Sequence, residues 1–313
     1  MGGILDFLFG SPAFLIFGAY TVVMVVGLGL LLHLQLGLAG IGNFGVVGFW
    51  GLGLYAFGVL TVRYDLTFFL ALLGATAIAG AAGIVMGWVV SNLDVDGVLG
   101  ATLSFAAIVF FLTDSERDLT GGRIGLGTID FPFDVGNRTD LAWLAILVVI
   151  VGALMYYVRR VHRAPYGRLL IATGFNEPLA QSLGKPTFRT KMILFAWTSA
   201  AMGLIGALYA SFVHFLFPTQ VTVGITIAVI VALVLGGQQR TWGALVGALL
   251  TIALFDIVIQ LYVPLPRTVF QQAFPVAKQM LFGLLLIVLL LYRPLGILGR
   301  MRRENYVRGV THE

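Results

Sequence analysis

The 313-residue sequence has no cysteine, and Asp, Glu, Lys and Arg together make up only 11% of it. Without thiols there are no disulfides, no thiolate nucleophile and no Cys-ligated metal. The four histidines, His33, His162, His214 and His312, include no pair at a metal-ligand spacing such as i, i+4, so none is expected to hold a metal. No GxxxxGK[ST] phosphate loop is present, and no Ser, His and acid set sits in a recognisable motif context. The chain is therefore expected to bind no ATP and to catalyse no bond-breaking step. Residues 1–12 lack a basic n-region, so no cleaved signal peptide is expected and the first apolar span should stay in place.

What fills the sequence instead is apolar. Hydrophobic residues account for 59%, against about 45–50% apolar and about 25% charged in ordinary soluble domains. Apolar runs of roughly 18 residues or more match a hydrocarbon thickness of about 30 Å, which makes lipid the solvent. The 40 glycines fit membrane helices, where small residues let backbones approach closely. The fold class is all-α: a polytopic integral membrane protein of about nine spans, placed near 13–33, 38–61, 66–90, 97–113, 141–158, 192–217, 221–235, 242–263 and 276–292. The Gly-rich stretch 37–58 is a candidate for a broken or re-entrant segment. Gly83 with Gly87, and Gly243 with Gly247, are small-xxx-small pairs that read as close packing sites. No soluble domain separates out, so residues 1–313 read as one membrane domain.

The net charge of +5 is spread over short loops and forms no continuous basic stripe interleaved with aromatics, which argues against nucleic acid. It reports topology. Arg159, Arg160, Arg163, Arg168, Lys185, Arg189 and Lys191 crowd the loop 159–191. Arg293, Arg300, Arg302, Arg303 and Arg308 crowd the tail 293–313. Both belong in the cytoplasm by the positive-inside rule, and an even number of spans separates them. Counting back places the N-terminus outside, together with the loop 114–140, where acids outnumber Arg117, Arg123 and Arg138. The loop 91–96 falls inside although it carries only acids.

The loop 161–191 is longer than the usual connection of about 4–6 residues. Residues 166–175 and 177–183 have helix-compatible composition; Asn176-Glu177-Pro178 supplies an N-cap with Pro in the first turn, and Gly184 with Pro186 supplies a stop. The residues alone leave two readings open: a docking element for a soluble partner, or an interfacial amphipathic connector.

The run from Arg168 through Asn176-Glu177-Pro178-Leu179-Ala180-Gln181-Ser182-Leu183-Gly184 to Arg189, Lys191 and Phe195 resembles the coupling loop of branched-chain amino-acid ABC importer permeases of the LivM type. Four more segments resemble the same family in the same order. They are Leu34–Gly45 with Phe49, Gly51 and Tyr55; the outer loop Leu119–Leu126, with its Thr-Gly-Gly; Leu235-Gly-Gly with Trp242-Gly and Gly247-Ala; and the closing Tyr292-Arg-Pro-Leu-Gly-Ile-Leu-Gly299. The resemblance implies a bacterial or archaeal inner-membrane importer with a core of two permeases. This chain would pair with a LivH-like second permease, two cytoplasmic ATPases that bind ATP and Mg, and an external solute-binding protein. It would need no cofactor of its own, and Arg168, Asn176, Glu177, Ala180, Gly184, Arg189 and Lys191 would form the ATPase-coupling loop.

The sequence departs from the family where a Gln or His usually follows the second-span glycine (here Asn43-Phe44-Gly45-Val46), and where Arg-Gly-Asp-Tyr is replaced by Asp94-Val95-Asp96-Gly97. Polar residues at membrane depth cost several kcal/mol, roughly, unless they meet protein or water. Gln35, Asn43, Thr102 and Asp256 are therefore candidate pathway residues, with helix bridging as the alternative role. The expected cargo is a branched-chain, hydrophobic amino acid, and urea or a short-chain amide is the runner-up. An ion-coupled secondary transporter should carry ionisable residues in several spans, and Asp256 alone clearly qualifies. A membrane enzyme would need clustered acids or histidines near one surface.

Overall fold

The computed structural model describes residues 12–127, 139–258, 274–292 and 296–298. Among them every regular element is helical apart from one isolated bridge, Leu126 to Leu216. In chain order the main helices are α1 Pro12–Leu32, α2 Val46–Val62, α3 Phe68–Val90, α4 Val95–Ser115, α5 Thr139–Arg163, α6 Pro165–Phe175, α7 Glu177–Ser182, α8 Thr187–Val213, α9 Val223–Gly236, α10 Gly243–Ala248 and α11 Phe274–Tyr292. Two of them run on as π-helix, α1 through His33–Leu38 and α10 through Leu249–Val258.

Among the described residues six helices are long and apolar enough to cross a membrane, and Val46–Val62 and Gly243–Ala253 are shorter apolar helices. The expected span at 276–292 falls within α11; the last residues of the one expected at 242–263 lie outside the described residues, as does the basic tail after 298. The expectation of a continuous span over 38–61 is corrected: helix ends at Leu38, residues 39–45 are unwound, and α2 begins at Val46.

Burial sorts the spans. The apolar window of α1 is 67% buried and that of α8 56%, whereas those of α3, α4 and α5 are each 22% buried. A helix apolar on every face belongs at the centre of a bundle, and Tyr20, Leu28, Leu31 and Leu32 of α1 are fully enclosed. The outer helices present Phe69, Leu73, Val85, Ile108, Phe111 and Val149 to the surroundings. So broad an apolar surface is untenable in water and ordinary in lipid.

Close packing depends on small residues, because lipid supplies no hydrophobic drive between helices. On α3, a Cβ added at Gly83 would lie 2.6 Å from the carbonyl oxygen of Phe195 on α8, and one at Gly87 would lie 2.9 Å from the Met192 Cα. Gly53 of α2 meets Gly203 of α8 backbone to backbone, and Gly243 and Gly247 close α10 onto the end of α9 in the same way. Both small-residue pairs singled out in the sequence are thus contact surfaces.

The acids between α3 and α4 have a local explanation. Asp94 precedes the first turn of α4 in extended conformation and Asp96 lies within it. There a negative charge opposes the positive end of the helix dipole.

Candidate functional site

Unwinding a span inside a protein of this kind exposes N–H and C=O groups where no water is available, and each must find a partner. At the break, 39–45, Asn43 and side chains from four helices take up several of these groups. Asn43 receives the N–H of Gly45 on Oδ1 at 2.7 Å and donates through Nδ2 to Gln35 Oε1 at 2.8 Å. Gln35 Nε2 donates onward to Thr198 Oγ1 of α8 at 2.7 Å. The N–H of Phe44 is taken by Thr102 Oγ1 of α4 at 3.1 Å, and that of Val47 by Thr226 Oγ1 of α9, also at 3.1 Å. The backbone helps as well, with Ile41 N–H donating to Gln35 O at 2.8 Å.

Gln35, Asn43, Thr102, Thr198 and Thr226 are all buried to within 1% of complete enclosure. The structure therefore brings together three of the four pathway candidates, Gln35, Asn43 and Thr102, around one break. Asp256 falls in the π-helical stretch after α10, and its side chain lies outside the described residues. Thr198 and Thr226 were missed in the sequence. Each is a single hydroxyl within a long apolar helix, and only the tertiary arrangement shows what it meets.

The second part of the site is the long loop after α5. It folds as expected into two short helices, α6 and α7. Pro165 and Pro178 occupy their first turns, where no N–H is needed, and Asn176 caps α7 by accepting the Leu179 N–H at 3.0 Å. Gly184 ends the segment at φ +73°, a left-handed conformation that glycine adopts without penalty. Lys191 reaches back from α8 to Glu177, Nζ to Oε2 at 2.6 Å, with the Lys191 side chain only 10% exposed. Gln181 Nε2 donates to Thr187 Oγ1 at 2.9 Å, and Tyr166 donates its hydroxyl to the Thr190 carbonyl at 3.2 Å. Burial pushes the Tyr166 phenol up to about 12, which keeps that donor protonated.

These contacts fix which face looks out. Ala180 is buried, so it seats α7 against the body of the protein, while Arg168 and Arg189 are exposed. The outward face carries Ile171, Phe175, Leu179 and Leu183, with Phe175 89% and Leu183 70% exposed. Their spacing of four residues runs through both short helices. That periodicity was present in the sequence, but apolar residues do not stand out in a chain this apolar.

The two parts touch. A Cβ added at Gly174 of α6 would lie 2.6 Å from the Ala39 carbonyl carbon, and one at Gly40 (φ +67°) would lie 3.2 Å from the Gly174 oxygen. Beside this contact is a cavity of about 280 Å³ bordered by Gly40, Gly42, Asp94, Gly174, Glu177 and Lys191. On the other side of the break, His33 Nδ1 lies 2.6 Å from the Gln238 oxygen in the turn between α9 and α10, and the His33 ring stacks on His162 of α5 at 6.1 Å.

Replacing Asn43 with Leu should leave the Gly45 N–H and the Gln35 side-chain oxygen Oε1 unpaired, each at a cost of about 1–3 kcal/mol. The expected result is a lower thermal midpoint in detergent, measured by fluorescence-detected size exclusion. Asn43→Gln, which keeps the amide, should lose less.

A profile described as "Branched-chain amino acid transport system / permease component" matches residues 11–290. The chain is 27% identical over 310 residues to the high-affinity branched-chain amino acid transport system permease protein LivM of Escherichia coli K12, covering 91% of this chain and 69% of that protein. It is 26% identical to the probable branched-chain amino acid transport permease protein LivM of Methanocaldococcus jannaschii, over 64% of this chain and 59% of that protein. It is 25% identical to the autoinducer 2 import system permease protein LsrC of Salmonella typhimurium LT2, over 61% of this chain and 55% of that one. No solved structure matches. With four-fifths and more of its length inside the profile, an all-helical body and a buried helix break tied to a two-helix loop, the chain belongs to the permease-component family of branched-chain amino-acid transport systems, as the membrane subunit of an ABC importer.

Proposed function

We propose that this permease carries branched-chain, hydrophobic amino acids inward across the inner membrane, driven by two cytoplasmic ATPases that dock on α6 and α7. In this reading residues 1–313 form a single permease domain of about nine spans, with the N-terminus outside and the coupling loop 159–191 and tail 293–313 in the cytoplasm. A second permease completes the core, an external binding protein delivers the solute, and ATP and Mg stay with the ATPases.

The observation that carries the reading is the exposed stripe Phe175, Leu179 and Leu183. It stands on a segment otherwise locked to the body by the Asn176 cap and the Glu177 to Lys191 ion pair. Apolar anchors on a rigid, polar-rimmed element are what a partner groove recognises. Behind the stripe, Gly174 abuts Ala39 and Gly40. Movement of the docked loop is then passed to the break, where Gln35, Asn43 and Thr102 border the solute path, and Asp256 is proposed to line it deeper in. A ligand or nucleotide shifts such an equilibrium only through contacts that differ between the two states, and in this reading the docked face of α6 and α7 makes those contacts while Gly174 passes the change to the break.

The absence of cysteine allows a clean topology test. Ser182 is exposed, and a Ser182→Cys variant should react with a membrane-impermeant maleimide in inside-out vesicles but not in intact cells. Labelling in intact cells would overturn the orientation and the docking role together.

The triple variant Phe175→Ser, Leu179→Ser, Leu183→Ser should insert normally but lose about tenfold or more in co-purification with the ATPases, since each buried Leu or Phe is worth about 1.5–3 kcal/mol. Undiminished co-purification would refute docking on this face.

For the cargo, vesicles holding the full complex and its binding protein should accumulate labelled leucine on ATP addition and leave labelled urea outside. The reverse preference would reassign the solute within the same family.

A further inference from the structure

At the C-terminal end of α5, Tyr156, Arg159, Arg160 and Arg163 border a cavity of about 630 Å³ together with Ala164. The intervals i, i+3, i+4 and i+7 put all four on one face of the helix. It is the face opposite the buried row Trp143, Leu147, Val151 and Val158. Higher on the same face the helix is apolar and open: Val149 is 70% exposed, and a Cβ on Gly152 would meet nothing within 4 Å. The face therefore runs from bare aliphatic surface, through an exposed tyrosine, to three exposed guanidinium groups.

No carboxylate among the described residues pairs with any of the three arginines; the two ion pairs there are Arg123 to Asp114 and Lys191 to Glu177. The Arg159 guanidinium is instead held 5.0 Å over the indole of Trp242, a contact that uses its face and leaves its edge donors free. Clustered guanidinium groups at a membrane surface attract phosphate, which Arg can grip with two parallel N–H bonds. The apolar strip above them gives an acyl chain somewhere to lie.

We propose that this face of α5 is a binding site for an anionic phospholipid, its phosphate between Arg159, Arg160 and Arg163 and its acyl chains along the Val149 and Gly152 surface. The site lies on α5, ahead of α6 and α7, and stands whether or not ATPases dock on those two helices. It requires only that this end of α5 lie at a membrane face.

The test is native mass spectrometry of the full-length chain, delipidated in detergent and offered phosphatidylglycerol and phosphatidylcholine in equal amounts. The unaltered protein should retain phosphatidylglycerol in preference. Arg159→Gln, Arg160→Gln, Arg163→Gln should lower that preference by about tenfold or more, given the contribution of each basic side chain at a charged surface. Should the triple variant misfold, Arg160→Gln, Arg163→Gln keeps the contact with Trp242 and should still lower it severalfold. Arg117→Gln, Arg123→Gln, which removes charge far along the chain, should leave it unchanged, and millimolar inorganic phosphate should not displace the lipid. Equal retention of the two lipids, or unchanged preference in the Arg160 and Arg163 variant, would overturn the proposal. So would displacement by phosphate, which would mark a soluble-anion site, or a change in oligomeric mass on neutralising the stripe, which would mark a subunit interface.

Discussion

The structure turns on one obligation: seven residues of unwound backbone, 39–45, most of them buried or half-buried, interrupt a largely apolar helical bundle, where free N–H and C=O groups need partners. Asn43, within the break, together with Gln35, Thr102, Thr198 and Thr226 from α1, α4, α8 and α9, meets part of that obligation, and the break thereby ties those four helices to one another. A lost partner here leaves a buried donor or acceptor unpaired, which costs more than the bond itself contributes when present. Two of the hydroxyls that serve the break also bond within their own helices, Thr102 to the Val98 carbonyl at 2.8 Å and Thr198 to that of Leu194 at 2.5 Å. Both helices are thereby pinned to the break without interrupting their own ladders.

The motifs that mark the family in sequence are joined in space. The Gly-rich second segment touches α6 through Gly40 and Gly174. From the closing motif, Ile297 and Leu298 bond to the end of α9, Ile297 N–H to the Leu235 carbonyl at 2.8 Å and Leu298 N–H to that of Gly236 at 3.2 Å. The outer Thr-Gly-Gly loop is bridged to the end of α8 through Leu126 and Leu216. Glycine recurs in these places because backbones approach too closely for a side chain, or because φ is positive, as at Gly121 and Gly125.

Much of this was legible in the residues. Length and hydropathy marked the six membrane-length helices among the described residues, and local signals marked α6 and α7 almost to the residue: Pro178 in a first turn, Asn176 as a cap, Gly184 as a stop. The exact limits of the break were not legible, since Gly37–Gly58 offers many places to unwind and the choice is made by hydroxyls more than fifty positions away. The family resemblance singled out Arg168, Asn176, Glu177, Ala180, Gly184, Arg189 and Lys191 in the loop 159–191. It took the packing to show that Glu177 and Ala180 turn inward to hold the loop, and that Phe175, Leu179 and Leu183 are left looking out. The acidic stretch at Asp94 and Asp96, awkward for topology, is a helix start whose charges suit the α4 dipole.

The meeting of Gly40 with Gly174 has a mechanical consequence. Where side chains separate two elements, rotamers and methyl groups yield, and a small displacement is absorbed on the way. Here main chain bears on main chain with nothing compressible between. A displacement of α6 therefore meets the unwound segment directly, with no side chain between them to absorb it.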